Sequence, residues 1–92
     1  MSVTVKIPTQ LRSAAGGEAE LDVDGATTVG EALEHLFERH GELRDRMLQD
    51  GELRRFVNVY LDGEDVRFLD GLTTPVPASG ELTILPAVAG GQ

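Results

Sequence analysis

Apolar and polar residues alternate at the start of the chain: Val3, Val5 and Ile7 are separated by Thr4 and Lys6, and Pro8 ends the run. A period of two is that of a strand with one buried face. The same alternation returns at Ala19, Leu21 and Val23, separated by Glu20 and Asp22 and closed by Asp24-Gly25. Gln10 to Glu18, which contains Gly16-Gly17, is expected to be the turn joining these two strands as a hairpin. From Thr28 the period changes. Val29, Ala32, Leu33, Leu36 and Phe37 recur at helical spacing, giving one apolar stripe to lay on a sheet. Thr28 and Glu31, three residues apart, fit a capping box in which hydroxyl and carboxylate satisfy amide donors at a helix start. Gly41 after His40 reads as the helix stop, and Leu43, Met47 and Leu48 suggest a short second helical piece before a break at Asp50-Gly51.

Phe56 to Leu61 carries the clearest strand signal, with Val57, Val59 and Leu61 on one face and Phe56, Asn58 and Tyr60 on the other. Asp62-Gly63 ends it with residues that tolerate positive φ. A short extended piece is expected at Val66 to Phe68, followed by turns at Asp70-Gly71 and Ser79-Gly80. In the last strand Leu82, Ile84 and Pro86 alternate with Thr83 and Leu85. Strand, strand, helix, strand, short strand, strand is the order of an α+β roll of the β-grasp kind, a mixed sheet with one main helix across one face. One domain is expected over residues 1–86, with 87–92 as a flexible tail.

Composition narrows the chemistry. The 92 residues include no cysteine, which excludes disulfides, thiolate metal sites and cysteine nucleophiles, so any sulfur chemistry must use added sulfur. A formal charge of -8 disfavours nucleic acid, whose binding depends on clustered Lys and Arg, and fits either a basic protein partner or solubility alone. No stretch approaches the ~20 apolar residues of a membrane span, and the N-terminus has no apolar signal core, so a soluble cytoplasmic protein is expected. Of the eight basic residues Lys6 alone is a lysine.

Side-chain sites are scarce. Gly16-Gly17 lacks the Lys-Ser/Thr of a phosphate loop, and Asp62, Glu64 and Asp65 lack calcium-loop spacing and read as turn carboxylates. His35 and His40 are five apart and miss the spacing of a paired helical metal site. His40 reads as a cation near a helix C-terminus. Ser13 and Ser79 have no base in context, and Arg54-Arg55 reads as a partner for carboxylates. No metal site and no catalytic side chain is expected.

The informative segment is the end, Pro86-Ala87-Val88-Ala89-Gly90-Gly91-Gln92. Glycine has no Cβ and visits both signs of φ, so another protein's walls can close on such a backbone. Extended, Gly91 reaches roughly 17 Å beyond Pro86. The candidate reactive group is therefore main-chain, the carboxylate of Gly91 once Gln92 is removed. Leu85, pointing away from the core beside the tail, is a candidate partner-docking residue, with Phe56 and Tyr60 extending the patch from the neighbouring strand.

A β-grasp order ending in Gly-Gly resembles the ubiquitin-like sulfur carriers related to the small subunit of molybdopterin synthase and to the thiamin-thiazole sulfur carrier. Arg55 to Tyr60, Glu64 to Phe68, Gly71-Leu72 and Thr83 to Gly91 resemble in particular the actinobacterial carriers of cysteine biosynthesis. The resemblance implies that the last strand lies beside the first and that the chain is a carrier rather than an enzyme. It implies that an ATP-dependent E1-like activating enzyme adenylates Gly91, with Ala89 and Gly90 threading its channel, and that a sulfur donor converts the adenylate to a thiocarboxylate. It implies as further partners a synthase holding pyridoxal phosphate (PLP) and a metal-dependent peptidase of the JAMM type. ATP and PLP then belong to the partners, and this chain binds no cofactor. Related carriers serve thiamin, molybdopterin, methionine or secondary metabolism, and a ubiquitin-like modifier joined to lysines through Gly91 is the alternative of a different class. A plain β-grasp interaction module is the third. Gln92 departs from the pattern, and its proteolytic removal is the expectation adopted over an added residue or an inactive homologue.

Overall fold

The computed structural model describes residues 2–55 and 57–86. Strand β1 (Ser2–Lys6) is followed by a 3-10 helix (Thr9–Ala15), β2 (Glu20–Asp24), α1 (Val29–Arg39) and α2 (Gly41–Met47). A two-residue ladder, β3 (Leu48–Gln49) and β4 (Glu52–Leu53), then leads to β5 (Val57–Leu61) and β6 (Glu64–Asp65), and 3-10 turns at Val66–Phe68 and Gly71–Thr73 lead to β7 (Glu81–Pro86). The main sheet has the order β2-β1-β7-β5-β6. The first and last strands lie parallel at its centre, with Val5 opposite Leu82, and the other pairs are antiparallel.

Alternation in the strands and periodicity in α1 meet in one core. Val3, Val5, Val23, Val57, Val59, Leu61, Leu82 and Ile84 face Val29, Ala32, Leu33, Leu36 and Phe37 across the interior, all buried. Leu43 and Met47 of α2 and Leu11, Ala14 and Ala15 of the first 3-10 helix extend it. At the start of α1, Thr28 Oγ1 accepts from Glu31 N at 3.1 Å. The Glu31 carboxylate accepts from Thr27 N and Oγ1, each at 2.8 Å. The return bond of the box thus falls one residue upstream of the cap, because the strand-like backbone around Thr28 is tied to Thr74, Pro75 and Val76.

Two local expectations give way, and the break expected at Asp50-Gly51 is found. The segment expected as a plain turn from Gln10 to Glu18 forms the Thr9–Ala15 helix, since Leu11, Ala14 and Ala15 bury themselves, and only Gly16 and Gly17, with φ of 68° and 84°, make the turn. The break at Asp50-Gly51 is a hairpin tip: both residues have positive φ, 55° and 83°, which suits the right-handed twist of β3 and β4. The piece expected to be extended at Val66 to Phe68 is a 3-10 turn, because Asp65 Oδ1 accepts from Arg67 N at 2.8 Å and curls the chain as Val66 drops into the core. The turns at Asp62-Gly63, Gly71 and Ser79 hold the positive φ values that their residues tolerate.

Candidate functional site: the outer sheet face and the root of the tail

Helix α1 covers the inner face of the sheet, so outward residues of the strands form the open face. Along β7 these are Glu81, Thr83 and Leu85, and along β5 Asn58 and Tyr60. Asn58 stands opposite Leu85 and Tyr60 opposite Thr83, so Tyr60 and Leu85 are diagonal neighbours across the β5–β7 pair. Leu85 is 45% exposed and Tyr60 half-buried. The structure thus brings together two of the three expected docking residues. Phe56 lies outside the described residues, as do Ala89, Gly90, Gly91 and Gln92. The inward orientation expected for Pro86 falls on a side chain that is also outside the description.

Away from Leu85 the face becomes polar and then acidic. Lys6 lies opposite Thr83 on β1 and pairs with Glu81 at 3.3 Å. Thr4 Oγ1 donates to Asp22 Oδ1 at 3.2 Å, and Glu20, Asp22 and Asp24 stand exposed on the outer strand β2. An apolar end beside the tail and an acidic far end suit a partner that presents an apolar pocket within basic surroundings.

Several other titratable groups tie turns and helix ends together. Asp62 Oδ1 accepts from Glu81 N at 3.0 Å and Asp65 Oδ1 from Arg67 N, so both carboxylates serve turns. His35 Nδ1 is 3.0 Å from Asp24 O and Arg39 donates to Asp22 O at 2.8 Å, fastening α1 to β2. His40 sits at the junction of α1 and α2. The Glu31 carboxyl is held below its ordinary range, chiefly by the backbone hydrogen bond from Thr27. No group of three or more His, Cys, Asp or Glu that could hold a metal occurs among the described residues.

Two features escaped the sequence. A groove of about 350 Å³ runs beside α1, lined by Leu33, Phe37, Leu48 and Leu72 with Glu34 and Arg44. It lies on the helix side, away from Leu85, and contains no converging set of acid, base and nucleophile. The other is Arg67, whose guanidinium reaches three acceptors on and just before β5: Asn58 Oδ1 at 2.6 Å, Val57 O at 2.7 Å and Arg54 O at 2.9 Å. Phe68 beside it is 85% exposed.

The model of one family, described as the ThiS family, matches residues 5–91. The chain belongs to the ThiS family. The sulfur carrier protein CysO of Mycobacterium tuberculosis is 43% identical over 94 aligned positions, covering 99% of this chain and all of that protein. Among solved structures, CysO from the Amycolatopsis orientalis BexX/CysO complex superposes with a TM-score of 0.89 at 47% identity, covering 97% of this chain and 99% of that one. Small archaeal modifier protein 1 of Haloferax volcanii superposes at 0.84 with 34% identity, over 99% of this chain and all of its own. These ThiS-family likenesses bear out the β-grasp fold and the resemblance to cysteine-type carriers. No helix among the described residues is long and apolar enough to cross a membrane.

Proposed function

We propose that this ThiS-family chain is a sulfur carrier of the CysO kind whose working atom is the terminal carbonyl carbon of Gly91. The full-length likeness to CysO carries the reading, and the placement of an exposed Leu85 at the root of the tail supports it. A peptidase first removes Gln92, which frees the Gly91 carboxylate. Held in the channel of an E1-like activating enzyme by the slim Ala89-Gly90 backbone, one carboxylate oxygen attacks the α-phosphorus of ATP, forming an acyl-adenylate and releasing pyrophosphate. A sulfur donor then displaces AMP and leaves a thiocarboxylate. Adenylation supplies the leaving group, and the product is nucleophilic sulfur on a tether rather than free sulfide.

The acceptor proposed is an activated serine derivative on a PLP-dependent synthase, with the carrier-cysteine adduct released by a metal-dependent peptidase of the JAMM type. ATP, PLP and the metal are held by these partners, and the ATP-dependent step assigns the work to the cytoplasm. Leu85 and Tyr60 dock the activating enzyme, with Phe56 in the same role.

A second reading has its own support: the chain is 38% identical to small archaeal modifier protein 1 of Haloferax volcanii over 94% of its length. A modifier forms amide bonds from Gly91 to lysines of other proteins through the same adenylate. Trapping in the native cell separates the two. Thiocarboxylate and small cysteine adducts support the carrier; a ladder of high-mass conjugates supports the modifier and overturns the carrier.

A further inference from the structure

Strand β5 is covered unevenly on its outer side. Strand β6 pairs only with Tyr60 and Leu61, so among the described residues no strand lies outside Val57 to Val59. Sheet edges with free carbonyls call for another partner. Arg67 supplies it, donating to Arg54 O, Val57 O and Asn58 Oδ1 at 2.9, 2.7 and 2.6 Å. Its own backbone is pinned from the N-terminal side: Asp65 Oδ1 accepts from its N–H, and the preceding Val66 is fully buried. A planar guanidinium can serve several acceptors in one plane, whereas an ammonium is a compact point charge on a flexible stem.

The residues so held are those that hold the tail. Val57 is opposite Pro86 and Asn58 opposite Leu85, the last pairs of the β5–β7 ladder before residue 87. We propose that Arg67 is a positioning residue for the C-terminal tail: by clamping the start of β5 it keeps the last β7 pairs closed, so that the tail leaves the sheet at one point beside Leu85. Its effect on activation rests on the carrier reading. Without the clamp the terminal pairs fray, residues 85 and 86 join the tether, and each residue that must be re-ordered on docking weakens binding by about fivefold to thirtyfold.

The test uses the chain ending at Gly91, with Arg67→Ala, Arg67→Lys and Asn58→Ala, the last removing one acceptor and leaving Arg67 intact. Amide exchange at Asn58 and Leu85 is expected to rise about tenfold in Arg67→Ala while Val5 and Leu36 are unchanged, with a smaller rise in Asn58→Ala. In ATP-pyrophosphate exchange with the activating enzyme, KM for Arg67→Ala is expected to rise at least about 25-fold, the product of the two residues' losses, with kcat little changed, the signature of lost docking rather than altered chemistry. Arg67→Lys is expected to restore neither. Unaltered exchange at Leu85, or full rescue by Arg67→Lys, overturns the clamp. If the unsubstituted chain ending at Gly91 is never adenylated, the carrier reading falls, and hydrogen exchange alone decides for or against the clamp.

Discussion

Asn58 and Leu85 face each other across the β5–β7 ladder on the open side of the sheet, one pair before the strand gives way to the tail. One is tied to Arg67 through its side-chain oxygen, and the other presents an apolar side chain to solvent. The position tied to Arg67 and the exposed apolar position therefore share one register step.

Leu85→Arg is expected to weaken docking to the activating enzyme by about tenfold while shifting unfolding stability by no more than about 0.5 kcal/mol, because Leu85 is a surface residue. Thiocarboxylate formation at limiting carrier concentration and a denaturant titration together check it. Undiminished thiocarboxylate formation rejects the docking role.

Its neighbour behaves oppositely. Ile84 of β7 is fully buried in the core, and Ile84→Ala is expected to cost about 2–5 kcal/mol through lost burial and the cavity left behind. Chemical denaturation reads this directly.

The helix start gives a pH signature. The Glu31 carboxyl sits below its ordinary range because its ionised form accepts from Thr27. A lowered folded-state pKa contributes stability that is present above the unfolded carboxylate range and is lost as pH falls through the folded value. Between neutral pH and about pH 3, Glu31→Gln is expected to lose less stability than the unsubstituted chain. At neutral pH Thr28→Ala, which removes the cap, is expected to cost about 1 kcal/mol, or roughly 4–8 °C in Tm for a domain of this size.

Charge sets the approach. With a net charge of -8 and Glu20, Asp22 and Asp24 exposed on the open side of the sheet, association with a basic partner is expected to slow steeply with added salt while dissociation changes little. Stopped-flow kinetics at two ionic strengths distinguishes these rates.

Legibility in the sequence followed the range of the interactions. Alternation at Val3-Val5, Val57-Val59-Leu61 and Leu82-Ile84 located the main strands because each period-two run buries one face. The outward side of Leu85 followed from the same counting. Thr28 and the Asp-Gly turns were readable because their physics is contained within a few residues. The Thr9–Ala15 helix and the β3–β4 ladder were not, being too short to build a period. Val66 and Phe68 imitate a strand, and only the bond from Arg67 N to Asp65 shows the curl. The link from Arg67 to Arg54, Val57 and Asn58 depends on how β5 and the later turn are brought together, which no local pattern encodes.

The most direct measurement is the intact mass of the protein purified from its native cell, before and after thiocarboxylate-selective alkylation. The account predicts a species that has lost Gln92 and exchanged one carboxyl oxygen for sulfur. A full-length species that retains Gln92 and never takes up sulfur contradicts it.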